Sequence, residues 1–278
     1  MRFGIKTAPQ HTTFADMLAV WQAADELPLF ESAWTFDHFY PIFVEEVTGP
    51  CLEGWITTTA LAQATQRLRV GVLVTGLPYR HPAVLANMAA TLDIVANGRL
   101  ELGLGAGWNE VEAQAYGIEL HGTLTERFDA FDEGVEAIIA LLTQECTTSS
   151  GRYVQLTDAY CNPKPVQQPH PPICIGGQGE QRTLRAVAKY AQHWNYPGGP
   201  VEQFAHKLEV LRAHCDTFGR DVSEITVSTH LRGAPDEVAA QAEAYAAAGL
   251  DLGIVYLQPP HTPDVLPDYV AALEGLAG

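Results

Sequence analysis

Two residues that can exchange protons, Asp37 and His38, stand side by side after the apolar run Trp34-Thr35-Phe36. A histidine exchanges a proton near neutral pH, and an adjacent carboxylate can fix its tautomer or contact a ligand. Polar loop residues often make only structural hydrogen bonds. Because this pair comes directly after a predicted strand, both residues are candidates for acid–base chemistry.

Two glycine-rich turns predict places where the backbone approaches a ligand. The run Gly176-Gly177-Gln178-Gly179 follows a strand pattern and precedes a helix pattern that carries Arg182. Free N–H groups at a helix start bind anions, and glycines let a ligand come close. The run Gly105-Ala106-Gly107 ends another predicted strand. Each could be a tight turn without a ligand, but two such turns together favour a long cofactor.

A catalytic metal is not predicted, although the chain has ten histidines. The histidines are scattered singly, with no H-x-H on a strand and no H-E-x-x-H on a helix.

The elements that must position these residues alternate along the whole chain. Short apolar runs with a two-residue period are followed by longer segments with a helical period, which is typical of βα units. Eight βα units predict a single (β/α)₈ TIM barrel, because closure leaves no sheet edge. An open doubly wound sheet is the alternative, but the first turn lacks G-x-G-x-x-G. The predicted strands are residues 3–7, 32–36, 69–75, 100–104, 172–176, 193–196, 225–230 and 252–257.

Long segments after the second and fourth strands, 37–53 and 105–122, are rich in aromatic and acidic residues. Loops at the carboxyl ends of barrel strands build active sites, so we expect the site there. Residues of about 146–171 are too many for a plain connection. They predict an insertion before the fifth strand, with a hairpin around 152–160, inside one domain that spans 1–278.

The composition excludes some partners. The net charge of −17 repels nucleic acid and anionic membranes, so we expect neither as a partner. The five cysteines form no CxxC motif and predict reduced thiols. The first residues lack a signal pattern and no run is long enough to span a membrane, so a cytoplasmic protein is expected.

The chain resembles the bacterial luciferase-like superfamily along essentially its whole length. The matching motifs are Asp37-His38-Phe39, Thr91-Leu92-Asp93, Asn97-Gly98-Arg99-Leu100, Gly103-Leu104-Gly105-Ala106-Gly107-Trp108, Glu126-Arg127-Phe128 and Gly176-Gly177. Three further motifs resemble an actinobacterial branch of oxidoreductases that use the deazaflavin coenzyme F420: Leu52-Glu53-Gly54-Trp55, Val74-Thr75-Gly76 with Tyr79-Arg80, and His206-Lys207-Leu208-Glu209-Val210-Leu211. Other branches use FMN in the same pocket.

The resemblance implies a role for each matching residue. A non-prolyl cis peptide at Leu73-Val74, next to Gly76, would support a flavin-like ring. His38 would lie by the hydride-bearing carbon. The other implied cofactor contacts are Asp37, Gly105, Ala106, Gly107 and Trp108 at the ring and ribityl chain, and Gly176, Gly177, Gln178 and Gly179 at the phosphate. Arg182 would help at the phosphate if its side chain folds back. A homodimer is also implied.

Two departures bear on the substrate. Relatives that oxidise a sugar phosphate carry a Trp after Asp-His and a Glu after the Gly-x-Gly turn, where this chain has Ile42 and Trp108. That reaction is therefore disfavoured. Aromatic residues in the long loops favour an apolar or aromatic substrate. They are Phe39, Tyr40, Phe43, Trp55, Trp108 and Tyr116.

The leading hypothesis is an oxidoreductase that transfers a hydride between F420 and a small organic substrate, with His38 as acid or base. The alternatives are an FMN-dependent monooxygenase of the same fold and a cofactor-free binding protein on the same barrel.

Overall fold

The structure is a computed structural model that describes all 278 residues. Its strands are β1 (Arg2–Thr7), β2 (Phe30–Thr35), β3 (Arg69–Val72), β4 (Thr75–Gly76), β5 (Leu100–Gly105), β6 (Thr147–Ser150), β7 (Gln155–Ala159), β8 (Ile173–Gly176), β9 (His193–Tyr196), β10 (Thr226–Leu231) and β11 (Leu252–Leu257). The parallel strands form a closed ring, because the sheet order β3-β2-β1-β11-β10-β9-β8-β5-β4 is completed by pairing of β3 with β5. The predicted TIM barrel is confirmed, with β3 and β4 as two pieces of its third strand.

The helices lie between the barrel strands. They are α1 (Phe14–Asp25), α2 (Gly54–Gln63), α3 (Pro82–Val95), α4 (Glu110–Ala115), α5 (Leu124–Thr143), α6 (Thr183–Tyr190), α7 (Val201–Phe218), α8 (Pro235–Ala247) and α9 (Leu266–Leu273). No helix combines the length and apolar character that crossing a membrane requires. The short α4 was not predicted, because it lies inside the long segment 105–122.

The long helix α5 illustrates how sequence pattern becomes packing. Its buried side chains include Phe131, Val135, Ile138 and Leu142, which recur at helical spacing and face the barrel. Fully burying each such side chain contributes about 1.5–3 kcal/mol. The helix begins where the Thr123 hydroxyl accepts the Glu126 N–H at 3.1 Å.

The third barrel strand is interrupted at Leu73 and Val74, and the peptide bond between them is cis, as the resemblance implies. The Val74 side chain projects against two neighbouring strands. A Cβ at Gly105 would lie 2.8 Å from Val74 Cγ2, and one at Gly176 would lie 3.1 Å from both methyl groups. Glycine at these two positions therefore makes room for Val74. The sequence had suggested a different reason for these glycines, namely close approach of the backbone to a ligand.

The segment before β8 contains an antiparallel hairpin formed by β6 and β7. It starts at Thr147, earlier than the predicted 152–160, because the hydroxyl-rich run 147–150 is a strand. The Glu133 carboxylate accepts three backbone N–H groups, from Arg152, Tyr153 and Val154, at 2.7–3.1 Å. These bonds attach the hairpin turn to α5.

Candidate active site

One cavity of about 580 Å³, here called the central cavity, lies at the carboxyl ends of the barrel strands. Its volume is in the range of small-molecule and cofactor sites. Its polar and charged lining residues are Lys6, Asp37, His38, Tyr79, Arg127, Gln178, Thr183, Asn195, His230 and Arg232. Its large apolar lining residues are Phe36, Ile42, Phe43, Leu73, Val74, Trp108, Leu124, Phe128, Phe131, Ile175 and Tyr256.

Most residues predicted for the cofactor line this cavity. They are Asp37, Leu73, Val74, Gly76, Gly105, Ala106, Gly107, Trp108, Gly176, Gly177 and Gln178, and the predicted catalytic His38 lies among them. Gly179 is not part of the lining. Their roles toward a cofactor remain predictions.

The structure leaves only Phe43 and Trp108 of the predicted substrate pocket on the cavity wall. Trp55 is buried, and its Nε1 donates to Thr75 Oγ1 at 2.9 Å, so it joins α2 to the barrel core. The remaining three aromatics pack on one another outside the lining. Their ring centroids lie 4.9 Å apart for Phe39 and Tyr116, and 6.4 Å apart for Tyr40 and Tyr116.

His38 is held by a buried carboxylate. Glu112, on α4, has a fully buried side chain whose Oε2 lies 2.6 Å from His38 Nδ1 and 2.6 Å from the Tyr79 hydroxyl. Its Oε1 accepts the Phe39 N–H at 2.7 Å. The carboxylate therefore fixes the ring of His38 and the start of the loop that follows it.

These contacts determine the protonation states of Glu112 and Tyr79. Burial alone would raise the pKa of the Glu112 carboxyl, but hydrogen bonds from His38, Tyr79 and the Phe39 amide lower it below its ordinary value. Burial and Glu112 raise the pKa of the Tyr79 hydroxyl, which therefore stays protonated as a donor. An ionised Glu112 takes the Nδ1–H of His38, so Nε2 is the ring nitrogen left for a ligand.

Asp37 is not a free base. Its carboxylate oxygens accept two hydrogen bonds from the Arg80 guanidinium, at 2.5 and 2.9 Å. Burial raises the pKa of Asp37, although Arg80 opposes the shift. The predicted proton-exchanging pair therefore divides into an ion-paired Asp37 and an available His38.

The structure of the turn predicted to bind the phosphate, residues 176–179, differs in detail from the expectation. The Gly177 N–H is occupied, because it donates to the Asn195 carbonyl at 3.1 Å. The N–H groups of residues 178–183, before and at the start of α6, have no acceptor in the protein. Arg182 does not fold back toward them, since it pairs with Asp129 at 2.7 Å and Asp132 at 3.3 Å.

Arg127, on α5, also lines the cavity, and α5 reaches the start of α6, where its Asp129 and Asp132 pair with Arg182. The Arg127 side chain is mostly buried, and it donates to the Gly107 carbonyl at 3.4 Å and to Glu110 at 3.1 Å. The sequence contained Arg127 in a family motif, but only the packing of α5 against the barrel shows which face it occupies.

Three buried polar atoms of the cavity lining have no hydrogen-bond partner: Arg127 Nε, Gln178 Oε1 and His230 Nδ1. Buried polar atoms are nearly always hydrogen-bonded in native proteins. Unpartnered atoms on a cavity wall therefore indicate a polar ligand. A large cavity with polar atoms spread along it fits a long cofactor with a polar ring and a phosphate.

A stack of Phe43 on Trp108 lies at the mouth of the cavity, with centroids 5.4 Å apart and an interplanar angle of 2°. Both rings are exposed, at 81% and 55%. The loop is anchored just before this point, because the Gln10 side chain bonds both backbone groups of Ile42, at 2.8 and 3.1 Å.

Sequence reasoning missed Glu112, Arg127, Lys6, His230 and Arg232 as members of the site. One signal was present: Asn109 precedes Glu112 by three residues, the spacing of a helix cap, and its side chain accepts the Glu112 N–H at 3.2 Å. That pattern predicts α4 but not that Glu112 reaches back to His38.

The structure is thus a TIM barrel whose strand ends carry a histidine–carboxylate pair and a cavity of the size of a cofactor site. Residues 1–271 match the luciferase-like monooxygenase family, and the chain belongs to that family. An uncharacterized protein of Mycobacterium tuberculosis (strain ATCC 25618 / H37Rv) is 32% identical over 193 residues, which cover 69% of this chain and 66% of the relative.

Solved structures show the same fold. An F420-dependent secondary alcohol dehydrogenase in complex with an F420-acetone adduct superposes with a TM-score of 0.85, at 17% identity over 98% of each chain. The monooxygenase RslO1 from Streptomyces bottropensis superposes with a TM-score of 0.83, at 21% identity over 99% of each chain. This likeness is one of architecture.

Proposed function

We propose that this luciferase-like oxidoreductase transfers a hydride between the deazaflavin coenzyme F420 and a small organic substrate, apolar or aromatic in its reacting part. The observation that carries the proposal is the His38–Glu112 pair, which leaves Nε2 of His38 available on the wall of the central cavity. Family membership and the motifs shared with the F420 branch support it. FMN is the alternative cofactor.

The residues present suit such a group. The wall formed by Leu73 and Val74 would contact the ring, and the turn 105–108 would lie along it. Arg127 and the unpartnered N–H groups of residues 178–183 would bind the phosphate. When bound, the cofactor supplies or accepts a hydride; the protein supplies orientation and a proton.

His38 supplies that proton in the proposed reaction. In the reducing direction, hydride addition to a double bond leaves a lone pair on the neighbouring atom, and the Nε2–H of His38 donates to it. Glu112, bonded to Nδ1, stabilises the imidazolium before the transfer and fixes the tautomer after it. The Phe43–Trp108 stack lines the same space.

Cofactor titration of the purified chain tests the proposal. Saturable quenching of F420 fluorescence supports it, and flavin absorbance retained on the protein supports FMN instead. If neither cofactor binds, the proposal is wrong and the cofactor-free binding protein is favoured. Turnover with reduced F420 and a panel of conjugated carbonyl compounds then identifies an acceptor.

A further inference from the structure

A second polar cluster on the cavity wall has no part in the proposed reaction. It consists of Lys6 on β1, His230 on β10 and Arg232, which directly follows β10. Lys6 Nζ donates to the Leu73 carbonyl at 2.9 Å and lies 3.4 Å from His230 Nε2. The Tyr256 ring, on β11 between them, lies 5.3 Å from Lys6 Nζ and 4.1 Å from the Arg232 guanidinium carbon.

The cluster contains two cations without a carboxylate partner. Ten of the sixteen lysines and arginines lie within 4 Å of a carboxylate, but Lys6 and Arg232 do not. Lys6 is also only 5% exposed. Burying an ammonium group without a counter-ion is unfavourable. The absence of a carboxylate beside Lys6 is notable because the chain has 33 acidic residues.

His230 has a buried polar atom that the protein leaves without a partner. With Nε2 facing the Lys6 ammonium group, His230 carries its proton on Nδ1, which is buried and unpartnered. Burial, with Lys6 and Arg232, lowers the pKa of His230 well below its ordinary value, so the ring is neutral. Burial and Arg232 lower the pKa of Lys6 to about 7, and a bound anion would raise this pKa and stabilise the ammonium form.

We propose that Lys6, His230 and Arg232 form a subsite for a negatively charged oxygen, carried either by a carboxylate at one end of the substrate or by the ring of the bound cofactor. This inference rests on the proposed function, because the subsite lines the same cavity as His38. Where the oxygen belongs to the substrate, the preferred substrate is a small carboxylic acid with an apolar or aromatic reacting part. The subsite is the local exception to the charge of the whole chain.

Calorimetry with benzoate and benzamide tests the subsite, because the two probes have similar shapes and differ in charge. Wild-type protein is titrated as purified, and again after saturation with the cofactor that it binds. We expect benzoate to bind at least about tenfold more tightly than benzamide, which corresponds to about 1.4 kcal/mol. We expect Arg232→Gln and Lys6→Met each to reduce this preference at least about fivefold.

Arg185→Gln is the matched control. Arg185 also lacks a carboxylate partner and lies 5.3 Å from an aromatic ring, Phe218, but it is outside the cavity. The Arg185→Gln variant should prefer benzoate over benzamide to the same extent as wild type. Arg232 is exposed, so its variant remains informative if Lys6→Met does not fold.

The two sources of the charged oxygen give different results. A benzoate preference that survives cofactor saturation assigns the subsite to the substrate; one that disappears, with weaker cofactor binding in Arg232→Gln, assigns it to the ring. Equal binding of both probes, or a preference unchanged in both variants, overturns the proposal. A failure of cofactor binding is seen separately, at the saturation step, and leaves the first titration valid.

Discussion

Replacing Glu112 by Gln tests the link between the buried carboxylate and His38. Oε2 of Glu112 faces three donors, namely His38 Nδ1, the Tyr79 hydroxyl and, at 3.4 Å, Asn109 Nδ2, whereas Oε1 takes the Phe39 N–H. A Gln oxygen can keep the Phe39 bond, but its NH₂ group then faces the other three donors. His38 must present an unprotonated Nδ1 and carry its proton on Nε2.

The loss can be estimated from the bonds. A hydrogen bond to a charged group contributes about 1.5–3 kcal/mol, so loss of the carboxylate from the imidazolium should reduce turnover about ten- to a hundredfold. Cofactor affinity should not change, because Glu112 itself is not part of the cavity lining. The free energy of unfolding should fall by about 1–3 kcal/mol, since the buried donors lose their acceptor.

Three measurements check this expectation. Steady-state kinetics separate kcat from KM, and thermal unfolding reports the stability. Nitrogen NMR of the imidazole reports the tautomer of His38 without any need for turnover. Glu119→Gln, at a side chain 85% exposed in the same segment, is the control and should behave as wild type. A Glu112→Gln enzyme with wild-type turnover and an unchanged His38 tautomer would refute the reasoning.

Three further changes have defined outcomes. His38→Ala should lower turnover about 10²–10⁴-fold at nearly constant cofactor affinity, measured by kinetics beside fluorescence titration; a collapse of affinity would contradict the acid–base role. Arg127→Gln should weaken F420 or FMN binding about ten- to a hundredfold, whereas Arg182→Gln, whose parent side chain pairs with α5 carboxylates, should not; equal affinities would remove Arg127 from the phosphate end. Burial lowers the pKa of His193, but the contacts with Cys174 and with Glu101, at 2.7 Å, outweigh it and raise the pKa from 6.5 to about 10. This contribution to stability is therefore complete below pH 6.5 and is lost as the pH rises to about 10. Glu101→Gln should flatten that decline relative to wild type in unfolding titrations; parallel curves would show that the pair does not titrate in this way.

The periodic parts of the fold were predictable. Eight alternating units give a barrel because closure is a general solution for parallel strands with intervening helices. The position of His38 at the end of β2 also follows from the sequence, because strand ends meet at one face of the barrel. Local pattern and topology are sufficient for both inferences.

Residues joined by packing were not predictable in this way. Glu112 reaches His38 from a short helix 74 positions later along the chain, and no spacing encodes that contact. The structure also reassigns residues that looked alike in sequence. Trp55 belongs to the core, Gly105 and Gly176 make room for Val74, and Arg182 is occupied by the carboxylates of α5. Each outcome depends on which neighbour a side chain faces, which composition and periodicity do not specify.

The stack at the cavity mouth also gives the protein an intrinsic fluorescent probe of its cavity. Of its five tryptophans, only Trp108 is exposed, and it is the one that contacts the loop residue Phe43. The other four are buried in the barrel: Trp21, Trp34, Trp55 and Trp194. An indole in water emits at longer wavelength than a buried one and is open to dissolved quenchers. The long-wavelength edge of the intrinsic emission therefore reports on the entrance to the cavity, and a ligand that displaces Phe43 or shields Trp108 can be followed without any added label.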